Sequence, residues 1–235
     1  MKRVAAQAAL ELLPESGVIG LGTGSTARYF IEGVAERVRR GQDYRGVPTS
    51  EASRFLAGSL GIPLLADDGP WDILLCVDGA DEVNPALDLI KGGGGAHTRE
   101  KLVNFASQRN VIVVDETKLS PRLGLRSAVP VEVLPFAHRE TAYLIGGIGE
   151  PTLRLQGGAP FRTDSGNYIY DLRTGPIDDP ANLDVELKTI PGVVETGLFC
   201  GRADLVIVAG PNGVRKLQGG PASRRPGFTT TSLLE

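Results

Sequence analysis

The sequence predicts an α/β protein, a doubly wound and mostly parallel sheet domain with an inserted ferredoxin-like α+β domain. Three observations carry that expectation. Strand-like and helix-like segments alternate through about residue 128. The runs at 73–77 (ILLCV) and 111–114 (VIVV) are apolar without polar alternation, as in strands covered on both faces of a parallel sheet. From residue 129 the order changes to strand, helix, strand, strand, helix, strand, the split βαβ unit.

Taken in order, Val4, Ala8, Leu12 and Leu13 recur at helical spacing, and Pro14 with Gly17 stops that first helix. A compact strand at 18–22 and the loop Thr23-Gly24-Ser25-Thr26 lead into a second helix. Its apolar side carries Tyr29, Phe30, Ile31, Val34 and Val38, and it ends before Gly41. A short strand is expected at 46–48, then a helix at 51–60 with Ser50 as its N-cap. Between the two apolar strands, 98–106 reads as a helix. The second pattern comprises strands at 129–133, 152–155, 168–171 and 193–200, with helices at 138–145 and 181–189. A last apolar strand at 205–209 is expected to return to the first sheet. The domains are thus 1–128 plus 205–235, and 129–204. The tail from about Leu217 has no periodicity and is expected to be mobile.

Composition excludes several classes. The net charge of −3 offers no basic field for nucleic acid or anionic membrane. Cys76 and Cys200 each close an apolar run and read as small buried hydrophobes. Gln7 and Glu11 interrupt the one stretch that resembles a signal peptide, and no run approaches the 18 apolar residues of a membrane span. A soluble cytoplasmic protein is expected. Glycine supplies 31 of 235 residues, about twice the usual share, so its placement matters.

Four polar loops each follow an apolar run: Thr23-Gly24-Ser25-Thr26, Asp78-Gly79-Ala80-Asp81-Glu82, Lys91 with four glycines, and Asp115-Glu116-Thr117-Lys118. Ligands of open parallel sheets bind outside the carboxyl ends of strands, where such loops lie. The first loop opens a helix whose unpaired amides suit a phosphate. It also approaches a dinucleotide fingerprint, but Ser25 replaces the third glycine and no acidic residue closes a second strand. Asp78 and Asp81 flank a Gly-Ala turn that could aim both carboxylates into one crevice, or form a solvated Asx turn. Four glycines in a row are costly to order, and amides close to an oxyanion explain them better than a spacer. Glu100 opens the next helix, where it complements the helix dipole or acts as a base beside Lys91. His97 and His138 lie in unrelated contexts, so no metal is expected.

GLGTGSTA from Gly20, DGADEV from Asp78, KGGGGAHTREK from Lys91 and IPGVVETGLF from Ile190 together resemble type A ribose-5-phosphate isomerase, in order from Lys2 to about Lys216. That resemblance implies an aldose-ketose isomerase of the non-oxidative pentose phosphate pathway, working through an enediol or enediolate without a cofactor. It implies substrate contacts by Thr23, Gly24, Ser25, Thr26, Asp78, Gly79, Ala80, Asp81, Lys91, Gly92, Gly93, Gly94 and Lys118. Lys2 is a further candidate. Glu100 is implied as the proton-transferring base, Lys91 with the glycine amides as oxyanion stabiliser, and Asp78 and Asp81 as helpers in ring opening and hydroxyl proton transfers. A homodimer or homotetramer acting on a phosphorylated pentose is implied. His97 stands where the family more commonly carries an apolar residue. It either faces the crevice and titrates near 6.5 or takes a rim or packing role. Residues beyond Lys216 lack a counterpart.

Two other readings come from different classes. A phosphosugar-sensing domain of a transcriptional regulator would bind without turnover, but the residues before Val18 leave no room for a helix-turn-helix. A nicotinamide-dependent oxidoreductase would gain thermal stability from the nucleotide by mass action.

Overall fold

The computed structural model describes residues 1–218 of the chain. Helix α1 (Lys2–Leu10) precedes strand β1 (Gly17–Leu21), α2 (Ser25–Arg39), β2 (Tyr44–Pro48), α3 (Glu51–Ser59) and β3 (Ile73–Asp78). Two short strands follow, β4 (Glu82–Val83) and β5 (Leu89–Ile90), then α4 (His97–Ala106) and β6 (Asn110–Asp115). The second pattern is β7 (Val129–Val133), α5 (His138–Ile145), β8 (Glu150–Leu153), β9 (Leu155–Gln156), β10 (Ala159–Pro160), β11 (Tyr168–Arg173), α6 (Pro180–Lys188) and β12 (Val193–Thr196). The chain continues through β13 (Leu198–Phe199) and β14 (Leu205–Gly210) to β15 (Gly213–Gln218).

The main sheet has the order β15-β14-β6-β3-β1-β2, parallel except for β15. Its apolar strands are buried on both faces. Ile19, Leu75, Val113 and Ile207 face the side covered by α1 and α2, where Ala9, Phe30 and Val34 pack. Ile112, Val114, Val206 and Val208 face the other side, against Leu89 and Phe199. Such two-sided burial leaves no position for polar alternation, which is why these runs read as continuous. From β1 the chain crosses to β2 on one side, while β3 lies on the other. The carboxyl ends of β1 and β3 therefore form a topological switch point, the usual crevice for a ligand.

The ferredoxin-like unit is the antiparallel sheet β12-β7-β11-β8 with α5 and α6, closed by a core that includes Val131, Ile145, Leu172 and Leu187. Ser50 caps α3 by accepting from the Ser53 amide at 3.1 Å. Three elements differ from expectation. The strand expected at 193–200 is broken at Gly197 into β12 and β13, which pair in different sheets. Gly197 packs against the Lys91 carbonyl and the Pro130 ring, so a side chain there would clash. The strand expected at 152–155 is β8, shifted toward the N-terminus, followed by the short β9–β10 hairpin. Finally, β15 adds an antiparallel edge that the unpatterned sequence did not announce. The expectation of a mobile tail otherwise falls on residues 219–235, outside the described residues. Among the described residues no helix is long and apolar enough to cross a membrane.

Candidate active site

A cavity of about 160 Å³ opens at the carboxyl ends of the main-sheet strands. At one end lies the loop between β1 and α2. Gly24, at φ 103°, takes a conformation costly for any other residue and occupies the N-cap of α2 without a side chain to cap it. The first-turn amides of a 15-residue helix are thus left for a ligand, and the helix dipole makes that end attractive to an anion. Ser25, Thr26, Lys2 and Lys118 line the same end, with Lys2 Nζ donating to Ser25 Oγ at 2.7 Å. Thr23 lines the wall too, but its own groups are engaged. Its amide donates to Asp78 Oδ1 at 3.0 Å, and its hydroxyl lies 2.7 Å from both Thr49 Oγ1 and Ser50 Oγ.

The other end is built on Lys91 and Glu100. Lys91 follows β5, whose partners are β4 and β13 in a separate antiparallel sheet, so this loop does not extend the parallel sheet as its sequence suggests. The Lys91 amide donates to the Gly197 carbonyl at 2.9 Å, which brings the loop to the cavity from the side. Lys91 Nζ donates to Asp78 Oδ2 at 3.0 Å. It also lies 3.0 Å from Glu100 Oε2, forming an ion pair. All three side chains are buried. Burial pushes the Glu100 carboxyl up to about 7 against the pull of the Lys91 ammonium, and Asp78 adds to the rise. Burial works against the charge of Lys91, but Asp78 and Glu100 outweigh it and raise its pKa. A carboxylate poised near neutrality beside a fixed cation has the properties of a general base.

The two aspartates part company. Asp81 lines the cavity and accepts from the Gly93 amide at 2.7 Å. Asp78 is turned inward, where Oδ1 accepts from the Thr23 and Gly79 amides and Oδ2 from Lys91. The expectation that both carboxylates share the crevice therefore fails for Asp78. Gly79, Ala80, Gly92, Gly93 and Gly94 complete the wall. His97 does not face the crevice. It is fully buried under Gly92, and burial, with the charges of Lys101 and Arg154, pulls its ring down to about 3. Of the cysteines, Cys76 is buried and Cys200 only partly so.

Several side chains that sequence reading passed over hold this end in place. Flanking Glu100 on α4, Thr98 donates to Glu132 Oε2 at 2.6 Å and Arg99 to Glu51 Oε1 at 2.6 Å, while Lys101 donates to Glu195 Oε1 at 2.7 Å. From the ferredoxin-like unit, Arg154 reaches the Gly92 and Gly93 carbonyls at 2.8 and 3.3 Å. Of these partners only Glu195 falls in a segment that the sequence singles out; Glu51, Glu132 and Arg154 lie tens of residues from the loops they hold and outside any motif, so no local signal marks them.

Residues 45–213 match the family model for ribose 5-phosphate isomerase A, also called phosphoriboisomerase A. The chain is 51% identical over 218 residues to the ribose-5-phosphate isomerase A of Chloroflexus aurantiacus, covering 91% of each chain. It is similar to the ribose 5-phosphate isomerase A structure from Methanocaldococcus jannaschii, with a TM-score of 0.88 and 41% identity, over 92% of this chain and 97% of that one. A D-ribose-5-phosphate isomerase solved in complex with phospho-erythronic acid gives a TM-score of 0.89 at 42% identity with the same coverage.

Proposed function

The chain belongs to the ribose 5-phosphate isomerase A family and interconverts ribose 5-phosphate and ribulose 5-phosphate; we propose that Glu100 moves the proton between C1 and C2 in that reaction. The observation that carries the assignment is the buried Glu100 carboxyl, raised to about 7 and 3.0 Å from Lys91 Nζ at the cavity wall. Aldose and ketose differ by one proton shift, through an enediolate whose charge develops on the C1 and C2 oxygens. One carboxylate able to reach both carbons serves both directions, taking the proton from one carbon and returning it to the other.

In this reading the phosphate sits on the open N-terminus of α2 among Ser25, Thr26, Lys2 and Lys118, which sets the sugar's distance from the base. Lys91 and the glycine-loop amides oppose the developing negative charge. Asp81, at the cavity wall, handles hydroxyl protons during ring opening. Asp78, with both oxygens engaged, holds Lys91 and the β1 loop rather than the sugar. The phospho-erythronic acid bound in the related structure is a phosphorylated sugar acid, which supports a phosphorylated sugar as the ligand here.

Incubation with ribose 5-phosphate in D2O tests the reading. Deuterium is expected at C2 of the aldose or C1 of the ketose in step with turnover, and turnover with no solvent exchange and no response to Glu100 substitution would exclude this base. A homodimer or homotetramer in the cytoplasm belongs to the same proposal. Exposed Phe136 and Tyr143 supply an apolar face for such contact, and sedimentation is expected to show a mass at least twice that of one chain.

A further inference from the structure

The glycine loop is shaped by a side chain from outside the main sheet. Arg154 follows β8, and its guanidinium is gripped by Asp171 of β11, with Nε donating to Oδ2 at 3.0 Å and a second bond from Nη2 to Oδ1. The fork so oriented donates through Nη1 to the Gly92 carbonyl at 2.8 Å and the Gly93 carbonyl at 3.3 Å. The Phe161 ring lies against the guanidinium, 5.8 Å from its carbon, and occupies the space that Gly95 leaves by lacking a side chain.

A trans peptide points its carbonyl and its amide in opposite directions. Turning the Gly92 carbonyl to Arg154 turns the Gly93 amide away from it, and that amide donates to Asp81 at the cavity wall. Turning the Gly93 carbonyl to Arg154 does the same for the Gly94 amide. Gly94 lines the cavity, and among the described residues its amide donates to no protein group. Resting on the reading above, we propose that Arg154 is a positioning residue for the isomerisation. It holds two successive peptide planes so that the Gly94 N–H faces the enediolate oxygen and Asp81 is kept in register. The Gly95 amide also donates to the Gly92 carbonyl at 2.9 Å and shares in fixing the first plane, whereas the Gly93–Gly94 plane relies on Arg154, since glycine has no side chain to select one peptide orientation over its flipped form. The stabilisation of the charged intermediate thus depends on the ferredoxin-like unit, although Arg154 never touches the sugar.

The test is Arg154→Ala with Arg154→Lys and Asp171→Asn beside it, in the full chain. Arg154→Ala is expected to lower kcat about 10- to 100-fold while the KM for ribose 5-phosphate moves less than about threefold. A phosphorylated four-carbon hydroxamic acid, which mimics the planar charge of an enediolate, is expected to lose affinity by the same factor as kcat. Inorganic phosphate should bind as before. Added guanidinium is expected to restore part of the Ala variant's kcat. Arg154→Lys keeps the charge but not the two-pronged grip, and Asp171→Asn loosens the guanidinium, so both should fall in the same direction while melting close to the parent protein. A kcat within about threefold of the parent in Arg154→Ala, or a joint fall of phosphate affinity and melting temperature without guanidinium rescue, overturns the proposal. If the parent exchanges deuterium and the variants match it, only the clamp fails. If the parent itself neither turns over nor exchanges, the reading of the site fails with it.

Discussion

Glu100→Gln is expected to lose about 10²- to 10⁴-fold in kcat, the usual contribution of a positioned general base, with little change in KM. The substitution keeps the shape and one acceptor beside Lys91 but cannot take a proton from carbon. Phosphate binding at the α2 end is untouched, since Ser25, Thr26, Lys2 and Lys118 lie apart from the Lys91–Glu100 contact. The pH profile gives a second readout. Only the ionised carboxylate is a base, so a carboxyl pushed up to about 7 makes kcat/KM of the parent rise with pH through about 7 and level off above it. That limb is expected to vanish in the Gln variant. The same shift has a sign for stability. The folded value lies above the ordinary 4.5, so protonated Glu100 favours the fold below about 4.5, and that advantage is lost as pH rises through about 7. Steady-state rates and deuterium exchange across pH 5 to 9 decide the matter. Wild-type turnover in the Gln variant sinks the assignment.

Lys91→Met is expected to be the most damaging single change to the fold of the site. The ammonium lies 3.0 Å from Asp78 Oδ2 and 3.0 Å from Glu100 Oε2, and all three groups are shielded from water. Taking it away leaves two buried carboxylates facing each other, and losing one partner of a buried pair costs about 3–5 kcal/mol. The loss should be smaller at pH 5 than at pH 8, because protonating Glu100 removes one of the two uncompensated charges. Residual activity should fall at least about 10²-fold, as for loss of an oxyanion donor. Its pH limb should move above about 7, because Lys91 no longer draws the carboxyl down. Denaturant unfolding at the two pH values measures the first effect and rate profiles the second. Equal unfolding free energies for parent and variant at pH 8 would remove Lys91 from this role.

Some parts of this site are readable in a linear chain because the chemistry and the fold use the same residues. Thr23-Gly24-Ser25-Thr26 follows an apolar strand and opens a helix. An anion site made of backbone amides needs little more than that junction, so sequence alone points to the N-terminus of α2 as the candidate. Asp78 through Asp81 stood out for the same reason, at the end of β3. Glu100 was placed by its position in the first turn of α4. Other parts resisted. The strand before Lys91 is only two residues long; it forms a short hairpin with 82–83, but its other partner, 198–199, lies too far along the chain for any local pattern to reveal which sheet it joins. For His97 the sequence leaves both the crevice and a rim or packing role open, and its packing beneath Gly92 decides for the interior.

By itself the sequence determined the α/β class, the ferredoxin-like pattern from residue 129, and the chemical inventory of a glycine- and hydroxyl-bearing loop before a helix, carboxylates, lysine and glycine run. Those features are written in periodicity and in residue types that survive without knowing who touches whom. Tertiary structure alone decided that Asp78 faces inward while Asp81 faces the cavity. It also decided that Lys91 is shared between two carboxylates and that Arg154 donates to two carbonyls of the glycine loop. The physical reason is common to these outcomes. Orientation and proton affinity depend on burial and on charges within a few ångströms, and those distances are created by contacts between segments far apart in the chain.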